Sequence, residues 1–306
     1  MVFVLAHFSD PHLGPVPRPA WGDLVSKRML GYANWLRRRR LVHRHDILTR
    51  LVADAKAHCP DHIVITGDLT NLALPGEIIA ARDWLASIAP PDRLTIVPGN
   101  HDAYVAGALD EAMSCWRDYA ASDAAPSDEA GAQFPFIRRR GPVALIGLST
   151  AVPTRPFSAA GRVDGRQIVR LADDLVTLSR EGLFRIVLMH HPMDVTRKHW
   201  HKRLENGGTV RTVLTTAGAE LVLNGHMHVP DLITIAGPKA PIHVFSVPSA
   251  SADPRRGTHG AGYALHRIED KGADGFIWSY ERRVINKDGA VVTVETGNTA
   301  LPNARA

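Results

Sequence analysis

Residues 62–71 read HIVITGDLTN, a run of β-branched and apolar residues that breaks at Gly67 and delivers a carboxylate, Asp68, directly beyond the break. A run of this length and composition reads as a buried strand, and the glycine marks its end. The same arrangement recurs along the chain. Val2 to Phe8 leads to Asp10-Pro11-His12, and Leu94 to Val97 leads to Gly99-Asn100-His101-Asp102. Phe184 to Met189 leads to His190-His191-Pro192, and Glu220 to Leu223 leads to Gly225-His226-Met227-His228. Val143 to Leu148 reads as one more strand of this type. Helical patterns separate them at His45 to His58, Gly76 to Ala89, Ala103 to Tyr119, Gly165 to Arg180 and Gly207 to Thr216. Strands alternating with helices predict an α/β core. In such sheets the loops beyond the carboxyl ends of parallel strands converge on one crevice, where residues distant in sequence meet.

After His228 the pattern changes. Asp231 to Ala236, Ile242 to Val247, Gly262 to Ile268 and Gly275 to Arg283 read as successive strands divided by Gly, Pro and Asp turns, which predicts a second, mainly antiparallel sheet. Two mixed central sheets packed face to face with helices outside give a four-layer sandwich. Ala121 to Ala132 reads as a small-residue loop. Residues 286–306 end without apolar periodicity and read as a C-terminal tail.

A chain of 306 residues, 45% of them hydrophobic, can bury a full core unaided. Its two cysteines, Cys59 and Cys115, lack CxxC spacing and read as ordinary reduced thiols. Asp10 follows the first strand so early that no leader is expected, and no apolar run nears the roughly 20 residues of a membrane span. A cytoplasmic location is the expectation. The net charge of +5 favours anionic partners without choosing among them, whereas 16 histidines point toward metal.

The five motifs after strands share one chemistry. Hard carboxylate oxygens mixed with imidazole nitrogens suit divalent iron, manganese, zinc or cobalt, and no thiolate is present to favour a softer ion. Residues two apart on an extended segment point the same way, so Asp10 with His12, and His226 with His228, can each clasp one ion or straddle two. Glycines before Asp68, Asn100 and His226 let the backbone turn tightly there. Any one fragment alone is an ordinary turn; the ordered set is not.

That set, DxH, GDxxN, GNHD, a later His and GHxH, resembles the calcineurin-like metallophosphoesterase superfamily from Asp10 to His228. The resemblance implies one domain over residues 1–285 and a dinuclear centre that hydrolyses phosphate esters by attack of a metal-bridging hydroxide. Asp10, His12 and His228 would complete one metal shell, Asn100, His190 and His226 the other, and Asp68 would bridge them. His190 is preferred to His191 because the family ligand stands two residues before the proline, here Pro192. His101 resembles the catalytic histidine that steadies the transition state. Many relatives support that histidine with a carboxylate at the position of Asn71; with the amide here, the expectation is that His101 acts more as a hydrogen-bond donor or is supported by Asp102. His191 and Asn71 become candidate substrate contacts.

The GDxxN form, the GHxH ending and the Asn206-Gly207 pair also resemble bacterial cyclic nucleotide phosphodiesterases and glycerophosphodiesterases. A small phosphodiester is therefore the expected substrate. A nuclease or nucleotide-lipid pyrophosphohydrolase of the same superfamily is the alternative, and a non-catalytic basic binding protein a further one. Residues 21–44 stand apart as a basic helical insertion with Lys27, Arg28, Trp35 and the unbroken run Arg37 to Arg40. Such a run is ordinarily a solvated helix face; the other readings are a flap over the site, or contact of Lys27 to Arg44 with an acidic lipid surface or polyanion. Outside the motifs, His43 and eight other histidines read as surface or core residues. Arg155, Arg162, Arg255 and Arg256 lie in loops from which a phosphate is reachable.

Overall fold

In a computed structural model of the chain, residues 2–123, 134–256 and 259–303 are described. The loop read at 121–132 lies outside them from residue 124 onward. The strands, in chain order, are β1 (Val2–Phe8), β2 (His62–Thr66), β3 (Leu94–Val97), β4 (Phe136–Arg140), β5 (Val143–Gly147) and β6 (Phe184–Leu188). They continue with β7 (Leu221–Asn224), β8 (Asp231–Ile235), β9 (Ile242–Ser246), β10 (Gly262–Asp270), β11 (Phe276–Ile285) and β12 (Val291–Leu301). They form two six-stranded mixed sheets, ordered β12-β11-β10-β1-β2-β3 and β4-β5-β6-β7-β9-β8.

Each sheet has a parallel centre, β1-β2-β3 in the first and β5-β6-β7-β9 in the second. These strands read as near-continuous apolar runs because both faces are covered, so no alternation is left for solvent. Helices His45–Ala57 and Pro75–Ile88 contribute Leu48, Leu51, Ile78 and Leu85 to the core of the first sheet. Helices Gly165–Glu181 and Gly207–Ala217 contribute Leu171, Leu175, Val210 and Leu214 to a second cluster with Val187 and Val222. Between the sheets, Phe184 meets Phe276 edge-on at 5.4 Å and Phe245 meets Tyr280 at 5.0 Å. The four-layer sandwich expected from the alternation is the observed architecture.

Three details differ from the sequence reading. The strands after His228 do not make a sheet of their own: β8 and β9 extend the second sheet through β7, while β10 to β12 return to the first through β1. Hydropathy tells that a strand is buried but not which neighbour buries it. Residues 286–306 are not simply a tail, because Val291–Leu301 pairs antiparallel with β11 along its length. Most of its side chains are exposed, so no apolar period announces it; main-chain bonds hold this edge together with Glu295 on Tyr280 and Arg282 and Leu301 in the core. β4 was hidden by its arginines; the buried Arg138 is satisfied by the carbonyls of Ala121, Pro91 and Leu94.

The insertion is helical, as Trp21–Leu24, Lys27–Asn34 and Arg40–Val42, with a π-helical turn at Trp35–Arg39. Arg28 pins it down by donating to the carbonyls of Leu72 and Ala73 and pairing with Asp23 at 3.0 Å. No described helix is long and apolar enough to cross a membrane.

Candidate metal centre

Five loops bring the candidate ligands together, each leaving the carboxyl end of a parallel strand: β1 supplies Asp10 and His12, β2 Asp68, β3 Asn100, β6 His190, and β7 His226 and His228. The loops are laced by main-chain bonds. The N–H groups of Asp10, His12 and Leu13 donate to the carbonyls of Gly67, Asp68 and Leu69 at 3.0, 3.0 and 2.8 Å. The N–H of His226 donates to Asp10 Oδ2 at 3.0 Å.

The side chains then fall into two groups. Ligand atoms of Asp10, His12 and His228 lie within 4.8 Å of one another, as do those of Asp68, His190 and His226. Asn100 joins the second group, its Oδ1 3.3 Å from His190 Nε2. Asp68 stands between the groups, with Oδ2 3.4 Å from His190 Nε2 and 3.7 Å from His12 Nε2.

The backbone is bent to achieve this. Asp10, His12, Asp68, His226 and His228 all have left-handed φ values, between 41° and 66°. Such residues cost of order 1–3 kcal/mol each and persist where the surroundings force them. Two glycines make room. A Cβ on Gly99 would overlap the Asp68 carboxylate, and one on Gly67, itself at φ +93°, would come within 2.6 Å of His190 Nδ1.

The buried imidazoles share one pattern. His12 Nδ1 faces Thr70 O at 3.1 Å, His190 Nδ1 faces Thr66 O at 2.7 Å, and His226 Nε2 faces Lys202 O at 3.1 Å. A ring nitrogen against a carbonyl must carry the proton, which leaves the other nitrogen with a lone pair. Those lone pairs converge. His226 Nδ1 and His190 Nε2 face each other at 3.2 Å, and His12 Nε2 is buried without any hydrogen-bond partner. Metal-ligating histidines characteristically donate their second N–H to a carbonyl or carboxylate in this way. Ligand bonds of about 2.0–2.2 Å put neighbouring ligand atoms about 3.0–3.6 Å apart, close to the 3.1–3.7 Å separations that His228 to Asp10, His190 to Asp68 and His12 to Asp68 show. The residues fit two divalent ions.

Protonation follows the same logic. Burial, reinforced by nearby positive groups, holds His12 and His226 well below the usual histidine range, so both imidazoles are neutral. Burial also opposes charge on His190, but the Asp68 and Asp10 carboxylates carry it up to about 9. Without metal, one proton on His190 therefore partly compensates two buried carboxylates.

Four candidate residues take different places. His101 donates its N–H to Asp68 Oδ1 at 2.7 Å, and its Nδ1 faces the backbone carbonyl of Asn71 at 2.5 Å. Nε2 is thereby the nitrogen left for substrate. The support expected from a side chain at position 71 comes from the main chain instead. The Asn71 amide itself is buried and donates to Leu13 O at 2.8 Å, so it does not face substrate. Asp102, expected beside the His101 ring, turns to the backbone. It accepts from Thr70 N–H, Thr70 O–H, Gly99 N–H and Leu69 N–H at 2.9, 3.0, 2.9 and 3.3 Å. Burial and the Asp68 carboxylate push its pKa up to about 7 against these donors. It braces two ligand loops and touches no reacting group. His191 is fully buried, with Nδ1 2.7 Å from Thr150 Oγ1 and Nε2 3.1 Å from Ala159 O; with both nitrogens engaged, it serves as packing under His226, 4.3 Å away.

Other residues reach the centre from the insertion and from the loop after β9. The π-helical turn rotates Arg39 inward while Arg37, Arg38 and Arg40 stay exposed. Its Nη1 lies 3.2 Å from His101 Nδ1, a nitrogen already donating to Asn71 O, and Arg39 forms no ion pair among the described residues. The ring of His43 packs on His12 at 4.4 Å and bonds Ser251 Oγ at 2.8 Å. Ser249 donates to Asp10 O at 2.7 Å. Nothing local in the sequence marks these residues; Arg39 was only one of four arginines in a row.

A family model described as calcineurin-like phosphoesterase matches residues 3–230. No curated protein matches the chain. Among solved structures, it is similar to a dimetal phosphatase from Danio rerio, with 13% identity, 97% of this chain and 98% of that one covered, and a TM-score of 0.61. It is also similar to a purple acid phosphatase from yellow lupin seeds, at 14% identity, 97% and 53% coverage and a TM-score of 0.58. An NAD nucleotidase from Haemophilus influenzae matches at 12% identity, 96% and 60% coverage and a TM-score of 0.52.

Proposed function

Since the chain belongs to the calcineurin-like phosphoesterase family, we propose that it is a dinuclear metal-dependent phosphodiesterase acting on a small diester of the cyclic nucleotide or glycerol type. The observation that carries hydrolysis is the convergence of three imidazole lone pairs, each fixed by a carbonyl behind it, on two buried carboxylates. Divalent ions held there would supply Lewis acidity to the phosphoryl group and bring the pKa of water toward neutrality.

The chain's own residues do the rest. Arg39, which forms no ion pair among the described residues and lies in the field of Asp68 and Asp10, offers its guanidinium to a non-bridging phosphoryl oxygen. His101, held neutral by burial and Arg39 with its Nδ1–H on Asn71 O, presents the Nε2 lone pair at the same place, where it would take the proton given up by the attacking water and pass it to the leaving oxygen. A single fixed guanidinium suits the one negative charge of a diester better than the two of a monoester, and the GDxxN motif supports the same preference.

The test is a panel of cyclic AMP, glycerophosphoethanolamine, a UDP-linked sugar, bis(p-nitrophenyl) phosphate and p-nitrophenyl phosphate, with the protein reconstituted with manganese. Diester turnover that Asn100→Ala abolishes while the fold is retained supports the reading. Preference for the monoester would move the assignment to a phosphatase, and two bound ions with no turnover on any member would leave a non-catalytic metal protein.

A further inference from the structure

Three segments meet the metal centre from outside the sandwich. Residues 21–44 do so through Arg39 and His43. Residues 152–162 do so through Ala159 O, 3.1 Å from His191 Nε2. Residues 194–203 do so through Lys202 O, which receives the ring Nε2–H of His226. They also hold one another: Lys27 Nζ donates to Thr154 Oγ1 at 2.9 Å, and Ala159 N–H donates to His201 O at 2.9 Å. Together they form a rim.

Their composition differs from the rest of the molecule in two independent ways. First, charge is concentrated there. The three segments hold 13 of the 36 Lys and Arg but only 2 of the 31 Asp and Glu, so a chain of net +5 has a body of net −6 outside its rim. Secondly, the Trp, Phe and Tyr side chains exposed among the described residues are Trp21, Phe157 and Trp200, at 88%, 88% and 63%, one on each segment. Exposed aliphatics accompany them on the insertion, including Val25 at 88% and Met29 at 56%. Apolar side chains left in water at this density mark an interaction surface.

We infer that this rim is a docking surface for an anionic lipid bilayer. Arginines around projecting aromatics are the two signals that hold a peripheral protein at a membrane interface, charge for the headgroups and rings for the acyl boundary. The negative body orients the approach, since only the rim is attracted. A nucleic acid would satisfy the arginines and stack on the rings, but it gives no partner to Val25 and Met29, which a bilayer buries. The surface stands without the hydrolase reading.

The test is co-sedimentation of the full chain with vesicles of phosphatidylcholine alone or with about 30 mol% phosphatidylglycerol, at ionic strengths of about 0.1 and 0.5 M. The protein is expected to partition to the anionic vesicles at low salt and to be released at high salt. Each arginine at such a surface contributes roughly fivefold, so Arg37→Glu/Arg38→Glu/Arg40→Glu, which reverses three charges, lowers partition by at least about a hundredfold. Trp21→Ser/Phe157→Ser/Trp200→Ser lowers it by at least about tenfold. Both variants keep the parent melting temperature and turnover of bis(p-nitrophenyl) phosphate, because every replaced side chain is exposed and outside the centre. Equal or negligible binding to the two vesicle types overturns the inference. So does an aromatic variant that binds as the parent does; if it also holds duplex DNA as tightly, the rim is a polyanion surface.

Discussion

Asp102→Asn separates a brace from a catalyst. The carboxylate receives four donors, two on each oxygen: Thr70 N–H and O–H on Oδ1, Gly99 N–H and Leu69 N–H on Oδ2. Asparagine has one acceptor oxygen. Its best placement keeps that oxygen on Gly99 and Leu69 and turns the NH2 toward Thr70, whose hydroxyl rotates to accept. The Thr70 N–H is then orphaned in a buried site, which costs about 1–3 kcal/mol. The bonds that remain lose their charge assistance, roughly 1 kcal/mol each. The lost bonds sum to about 3–5 kcal/mol, against which relief of the buried charge disfavoured by burial and Asp68 must be set; most domains stay folded, and the melting temperature of one this size falls by at most roughly 6–10 °C. The measurement belongs at pH 8, above the value of about 7 to which burial and Asp68 push Asp102, so that a charged carboxylate is what is replaced. Because the braced turns carry Asp68 and Asn100, metal affinity falls as well, while kcat at saturating metal stays within about tenfold of the parent, the reaction losing no catalytic group. A variant with an unchanged melting temperature and affinity but a thousandfold lower kcat would place Asp102 in the reaction and refute the brace.

His101→Asn should do the opposite, lowering kcat by about 10²- to 10⁴-fold with no change in melting temperature; equal loss of both would make His101 a structural residue. Arg39→Met should raise KM by roughly 10- to 100-fold, the worth of a charge-assisted bond to phosphate, and Arg39→Lys should restore only part of it because an ammonium cannot form the same fork. An unaltered KM would remove Arg39 from the substrate site. Chelation should lower the melting temperature by roughly 10 °C if each ion is held at about 100 times its Kd; no shift would mean that the centre binds no ion tightly. His190 is protonated up to about 9 without metal and must be neutral to ligate. Manganese addition at pH 7.5 should therefore release a proton, detectable with an indicator dye, and affinity should rise with pH toward 9 and level off above it; a pH-independent affinity would contradict the protonated His190.

What could be read in advance was whatever a short stretch of chain carries whole. A strand that ends in a ligand writes its position and its chemistry in ten adjacent residues, as HIVITGDLTN does, so the layers and the seven ligand candidates were legible. Side-chain direction within those loops was not. Asn71, His101 and Asp102 lie in motifs whose spacing is plain, yet which of them faces the ring and which faces backbone depends on how the 67–71 and 99–102 turns interlock. Arg39 was invisible for a different reason. Four consecutive arginines are equivalent as sequence, and only the π-helical turn, which shifts the helical phase, sends one inward and three outward. β12 escaped because its ladder to β11 asks for no apolar alternation and most of its side chains face solvent.

The five left-handed ligands raise the question of what holds the centre in shape. Glycine would relieve the backbone at Asp10, His12, Asp68, His226 and His228 alike, and at each it would delete a ligand, so the strain is inseparable from the chemistry. At about 1 kcal/mol or more per residue the total is comparable to the net stability of a domain. The counterweight lies outside the ligand atoms, in bonds that need no ion: the ladder from Asp10, His12 and Leu13 to Gly67, Asp68 and Leu69, Ser249 on Asp10 O, and Asp102 on the turns at Gly99 and Thr70. The loops are therefore shaped before metal arrives. What remains for the ions is electrostatic, two buried carboxylates beside the lone pairs of His12 and His226, whose charge a single proton on His190 Nε2 offsets only in part. A centre built this way binds metal by exchanging that proton for charge, with little folding left to do.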